Sequence, residues 1–235
     1  EQLNTDFDSP LLNRVTQGLY QPGTALLPFV YAIALERGML SADVAASQPE
    51  VPVAVGPLWI GCAAVPPAEA TIAIALSHSC PAPFGGLADQ FEPSVVMQGL
   101  SDLGCCDLPA LPIELATRGA VSVPEDEAAL RAELLGQGKI LMTPLQMAWA
   151  LTSLAREPGR PALRLVSHVG AEKRGTDIVV PAVAPPPSGL SDATLSLVSE
   201  AMVSSVESGA ARAAASTLIS IAGHVEPDAR LFGMP

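Results

Sequence analysis

The stretch Gly136-Gln137-Gly138-Lys139-Ile140-Leu141-Met142-Thr143-Pro144-Leu145-Gln146-Met147-Ala148 contains a helix start written in full. A threonine N-cap offers its hydroxyl to an unpaired first-turn N–H, proline at N1 has no N–H to leave unpaired, and glutamine at N3 completes a capping box. Thr143-Pro144-Leu145-Gln146 therefore predicts an apolar helix over residues 144–155. Upstream, Pro124 followed by Glu125-Asp126-Glu127 places acids in the first turn of a helix over 128–135, where the exposed N–H groups and the dipole favour them. The cluster reads as a helix start rather than a metal site. Three further helices are expected: 93–103 stopped by Gly104, 69–77, and an amphipathic one in which Leu27, Val30, Tyr31, Ala34 and Leu35 share a face up to Gly38. Segment 40–68, rich in Pro and Val, predicts loop with short extended pieces.

Downstream, 162–169 and 176–183 read as strands joined by a hairpin connection at 170–175. Residues 185–189 read as loop. Ser191 caps a helix carrying Leu195, Val198, Met202 and Val206 on one face and ending at Gly209, and 217–222 reads as a short buried strand. Mostly helix with a few late strands favours an α+β fold over an alternating doubly wound one. No period of 20 to 50 residues recurs, which argues against a solenoid.

Composition narrows the function classes. The chain has 235 residues, 49% of them apolar, enough for one large domain with a buried core. Lys and Arg total 12 against 24 Asp and Glu, a net charge of −12, so no surface stripe can neutralise a run of phosphates and nucleic acid is not an expected partner. The longest weakly polar stretch, 24–35, is about a dozen residues with Pro28 inside it, short of the roughly 20 needed to span a bilayer. The first residues, Glu1-Gln2-Leu3-Asn4-Thr5-Asp6, lack a basic and then apolar leader, so any signal or membrane anchor is expected outside this chain. Cys62, Cys80, Cys105 and Cys106 match no zinc spacing. An even cysteine count permits disulfides without requiring them, and no metal or cofactor is expected.

Three blocks carry a family resemblance. Residues 10–24, Pro-Leu-Leu-Asn-Arg-Val-Thr-Gln-Gly-Leu-Tyr-Gln-Pro-Gly-Thr, with Pro28-Phe29, resemble the run into the nucleophile of penicillin-binding protein transpeptidase domains. Ala75-Leu76-Ser77-His78-Ser79-Cys80-Pro81-Ala82-Pro83-Phe84 is similar to the family's SxN motif, and the Gly136–Ala148 stretch to its GQG…TPLQ motif. The blocks occur in family order and the resemblance runs from about residue 9 to 223. It implies a β-lactamase/transpeptidase-like α+β fold, mainly the helical part with an incomplete antiparallel sheet. It also implies one transpeptidase-like domain over 1–235, truncated relative to the family, with the first and last sheet strands not evident.

The family's chemistry is acyl transfer on a serine, activated by a lysine one helical turn on. Position by position, the resemblance assigns the nucleophile to Thr24, the lysine to Leu27, the SxN serine to Ser79 and its asparagine to Pro81. Where the Lys-Thr-Gly strand should lie, Ile221-Ala222-Gly223 is followed by His224-Val225-Glu226. Leucine cannot accept a proton, and proline removes both an amide side chain and a backbone N–H. Losing base, amide and strand lysine together is expected to abolish a reaction that needs them jointly.

Competing local readings are weighed alongside. Thr24 reads as an N-cap and Ser79 equally as a loop serine bonding backbone groups. His78 and Cys80 do not read as a Cys-His pair, His224 and Glu226 read as solvated, and Trp59 and Trp149 as packing residues. The expectation is a catalytically inactive module in cell-wall assembly, extracytoplasmic, with other cell-wall or division proteins as partners. The alternatives are slow acyl transfer by Thr24 or Ser79 with His224 as base, and non-covalent binding of a peptidoglycan stem peptide or a β-lactam.

Overall fold

The computed structural model describes residues 12–113, 115–116, 122–155, 161–166, 168–169, 178–179, 188–216, 221–225 and 229–231. Helix α1, Leu27–Glu36, lies at the centre, preceded without a break by a 3-10 turn at Gly23–Leu26. The amphipathic expectation for it is corrected: every residue from Leu27 to Ala34 is buried. A helix apolar all round has no solvent face to offer. Helices α4 (Pro93–Asp102), α7 (Asp192–Glu207) and the short α3 (Ala82–Gly85) pack around it. Burying Leu27, Phe29, Val30 and Ile33 contributes about 2 kcal/mol each before entropy is counted. Tyr31 meets Phe84 edge-on with ring centroids 6.2 Å apart, and burial, reinforced by Glu200 and Asp43, pushes its phenol up to about 12.

The helices expected from residues 93, 128 and 144 and after Ser191 start there within one residue, whereas the one expected over 69–77 starts at Ile72 and the one expected over 144–155 ends at Leu151 and runs on as a 3-10 turn, Thr152–Leu154. In α2, Ile72–Ser77, the Thr71 hydroxyl accepts from the Ile74 N–H at 3.3 Å. Asp126 caps α5, Glu127–Leu134, by accepting from the Ala129 N–H at 2.7 Å, which gives the acidic cluster its helix-start role. Thr143 caps α6, Pro144–Leu151, by accepting from the Gln146 N–H at 3.1 Å. The second half of that capping box is corrected. The buried Gln146 amide turns away and donates to the carbonyls of Cys105 and Asp107 at 3.3 and 2.5 Å, tying α6 to the loop after α4. Ser191 caps α7, and its N–H and hydroxyl, with the Thr194 hydroxyl, donate to Glu36 Oε2 at 3.0, 2.9 and 2.6 Å. Those donors, led by Thr194, hold the Glu36 carboxyl below its usual range and join the end of α1 to the start of α7.

The strands are few and antiparallel. Strands β1 (Val53–Val55) and β2 (Leu58–Ile60) form a hairpin inside the expected extended segment, and β5 (Ala229–Leu231) pairs with β2, giving the order β1-β2-β5. A second pair, β3 (His168–Val169) with β4 (Ile178–Val179), falls within the expected late hairpin. Residues 162–166 are not in that strand, and the rest of the hairpin lies outside the described residues. The strand expected over 217–222 is not borne out at Ile221 and Ala222, which run as irregular chain with Ala222 exposed. Its earlier part lies outside the described residues.

Trp149 is buried and donates to the Pro161 carbonyl at 3.0 Å, whereas Trp59 stands 39% exposed on β2 and fits the packing expectation less well. Cys62 and Cys80 form a disulfide, and among the described residues Cys105 and Cys106 belong to none. No helix among the described residues is long and apolar enough to cross a membrane.

Candidate functional site

The turn bearing Thr24 is set by an unusually close backbone approach. The Gly23 N–H donates to the Gly136 carbonyl at 3.0 Å, and both glycines have positive φ, +58° and +65°. A Cβ on Gly136 would stand 2.0 Å from the Gly23 oxygen, so only glycine fits there. On either side the two segments are zipped. Tyr20 and Met142 exchange a pair of backbone hydrogen bonds at 2.9 Å, and the Gln21 amide donates to the carbonyls of Gln137 and Gly138 at 3.0 and 2.9 Å.

The loop from Gly136 to Ile140 is itself wrapped around a buried carboxylate. Glu133 accepts from the N–H groups of Lys139 at 2.6 Å and Ile140 at 3.2 Å, and a Cβ on Gly138 would fall 2.3 Å from its carboxyl carbon. This residue was missed in the sequence. Its signal was present, since 133 lies three residues after Leu130 and beside Leu134 on the buried side of α5.

Thr24 is fully buried, and its hydroxyl has no hydrogen-bond partner among the described residues. The N-cap reading is thereby corrected: Pro22 occupies the N-cap position of the 3-10 turn without a side-chain hydrogen bond, and Thr24 lies inside the turn, where its hydroxyl caps nothing. Leu27, at the lysine position, is fully buried in the hydrophobic core.

Ser79 follows the end of α2. The Ser79 N–H donates to the Leu76 carbonyl and the Cys80 N–H to the Ala75 carbonyl, both at 2.9 Å, which is a Schellman ending with serine in the left-handed position, φ +54°. Glycine is the usual residue there, so the serine is held at a conformational cost of about 1–2 kcal/mol. What holds it is the surrounding clamp. Cys80 is bonded to Cys62, the Ala64 N–H donates to the His78 carbonyl at 3.3 Å, and the buried Pro81 begins the α3 turn with its carbonyl accepting from Phe84 and Gly85. His78 points back onto α2, its Nδ1 lying 3.0 Å from the Ile74 carbonyl and 3.1 Å from the Ser77 hydroxyl. With Cys80 oxidised and His78 turned away, a Cys-His pair is absent.

His224 does reach the site, contrary to the solvated reading. Its Nδ1 lies 3.4 Å from Ser79 Oγ, Nε2 is enclosed without a hydrogen-bond partner among the described residues, and the Thr24 backbone stands beside the ring. Burial pushes the imidazole down to about 4 against a smaller opposing pull from that backbone, so the ring is neutral at pH 7. His224 therefore stands against the Ser79 hydroxyl and the Thr24 backbone, while Leu27 lies in the hydrophobic core and Pro81 is buried at the start of α3. Glu226 lies outside the described residues. Chemically the site offers one serine with a neutral imidazole at hydrogen-bond range and one threonine hydroxyl with no base.

Comparison with known proteins places this arrangement. Residues 1–223 match the penicillin binding protein transpeptidase domain. A peptidoglycan D,D-transpeptidase, PbpA of Mycolicibacterium smegmatis, is 28% identical over 168 residues, 67% of this chain and 33% of the relative. The chain thus spans about a third of that relative's length. Among solved structures, the D,D-transpeptidase domain of a peptidoglycan glycosyltransferase from Eggerthella lenta superposes with a TM-score of 0.75 at 22% identity, over 94% of this chain and 56% of that one. A chain of a peptidoglycan synthase complex, also 22% identical, gives 0.69 over 92% and 37%.

Proposed function

Since the chain belongs to the penicillin-binding protein transpeptidase family, with that family's β-lactamase-like fold, we propose that it acts in peptidoglycan synthesis at the cell envelope as a non-catalytic structural or interaction module, partnered by other cell-wall proteins. The observation that carries this reading is the state of Thr24: a fully buried hydroxyl without a hydrogen-bond partner among the described residues, one turn from a leucine in the core. An alcohol needs a base to become a nucleophile at neutral pH, and Leu27 supplies none. The direct test is incubation of the purified protein with a fluorescent penicillin, followed by intact mass. No adduct is expected, and an adduct on Thr24 would overturn the reading.

A second reading rests on the 3.4 Å approach of His224 to Ser79. In it the neutral imidazole takes the Ser79 proton and slow acylation follows there instead. It requires an adduct at Ser79 that disappears in Ser79→Ala and is lost with His224→Ala. Adduct formation unchanged by His224→Ala would remove this version.

A further inference from the structure

Residues 221–225 reach the site without forming a strand, and they hold it by few contacts. The Gly223 N–H donates to the Met202 carbonyl of α7 at 3.1 Å, and His224 meets Ser79 at 3.4 Å. Ala222 and Val225 are exposed, so little apolar area anchors the segment. Beneath it lie Thr24 and Ser79, both fully buried, and two enclosed polar atoms without a hydrogen-bond partner among the described residues, Thr24 Oγ1 and His224 Nε2. Leaving such atoms unpaired costs about 1–3 kcal/mol each, which core packing has no reason to accept. Ser79 Oγ and the Thr24 backbone give the imidazole a polar seat.

We propose that residues 221–225 are a built-in strap: the His224 ring fills the polar hollow between Ser79 and Thr24, and the hollow opens only when the strap lifts. The inference deepens the non-catalytic reading and rests on it, by adding that the old cleft is closed from within by the chain itself. The described residues show the strap held by two hydrogen bonds, by the Thr24 backbone beside the ring and by the partly buried Ile221 and His224, with β5 paired to β2 just downstream, so lifting breaks only a handful of contacts.

Thiol accessibility tests this on the full chain. In a Cys106→Ser background, Thr24→Cys introduces a thiol of nearly the same size, and Cys105 labelling in the parent provides the baseline. The probe is N-ethylmaleimide without reductant, so that Cys62–Cys80 stays closed. Labelling of Cys at 24 is expected to be at least tenfold faster in His224→Ala than with His224 present, and severalfold faster in Ser79→Ala, which removes the strap's side-chain partner. Equal rates with and without His224, whether fast or slow, would overturn the strap. If Thr24→Cys loses its cooperative thermal transition, Ser79→Cys is compared in the same way with and without His224. A penicillin adduct would sink the non-catalytic reading while leaving slow labelling intact, and fast labelling of the His224-containing protein would do the reverse.

Discussion

Two sides of the same cleft have kept different things. On one side the Gly23–Thr24 turn is locked to the Gly136–Ile140 loop by the Gly23 N–H bond to the Gly136 carbonyl, with Tyr20 and Met142 exchanging backbone bonds beside it, by a glycine contact with no room for a methyl group, and by the Glu133 carboxylate inside the loop. On the other, Ser79 and His224 meet at 3.4 Å across an irregular segment with exposed neighbours. The first is scaffold and is over-determined. The second is where the chemistry would be, and it is lightly built. Structural constraint and reactive groups are therefore separable in this fold, and substitutions should separate them by size of effect.

The strongest break is on the scaffold side. Gly136→Ala drives a Cβ to 2.0 Å from the Gly23 oxygen in a backbone with φ +65°, and neither rigid backbone can yield. A loss above about 4 kcal/mol is expected, enough to abolish the cooperative urea transition of a domain of ordinary stability. A mild effect would mean that the two loops are not locked together.

Glu133→Gln comes next. The amide oxygen can still accept from one N–H, but its NH₂ faces the other donor, and the charge that strengthens both bonds is gone. About 2–3 kcal/mol should be lost, with Glu133→Ala somewhat worse. Removing the disulfide through Cys62→Ser with Cys80→Ser should cost about 3 kcal/mol, from releasing an 18-residue separation and the clamp on Ser79. Denaturant midpoints at constant slope measure both, and a cost for Cys80 far below this would show that the α2 ending holds Ser79 unaided.

The scaffold was legible in the sequence because it is built from local signals. Thr143, Asp126, Thr71 and Ser191 each cap the helix they precede. What was not legible depended on partners far away in the chain. Gln146 has an N3 glutamine's sequence context, yet its amide satisfies carbonyls 39 and 41 residues back. The all-apolar surroundings of α1 come from three other helices, and periodicity within α1 reports only its own spacing. Thr24 follows Pro-Gly like an N-cap, but the close contact with Gly136 draws the 3-10 turn one step earlier and puts the threonine inside it. His224, flanked by polar and small residues, carries no local sign that Ser79, 145 positions earlier, will cover it.

The smallest effect belongs to the strap, and pH is the way to read it. Burial lowers the folded His224 pKa to about 4 from an ordinary value near 6.5, and no charged side chain is among the causes of that shift. The unfolded chain therefore binds the proton first as pH falls. Stability is complete above about pH 6.5, declines between 6.5 and 4, and flattens below. Taken at face value the shift corresponds to at most about 3 kcal/mol. The strap can release before the domain unfolds, however, so the loss is capped by what its two hydrogen bonds contribute, about 1–2 kcal/mol. The expected result is a His224 ring resonance that titrates well below 6.5 and a thermal midpoint that falls by only a few degrees over the same range. A ring titrating at 6.5 would place His224 in solvent, while a large fall in the thermal midpoint that His224→Ala removes would make the strap part of the scaffold and erase the contrast between the two sides.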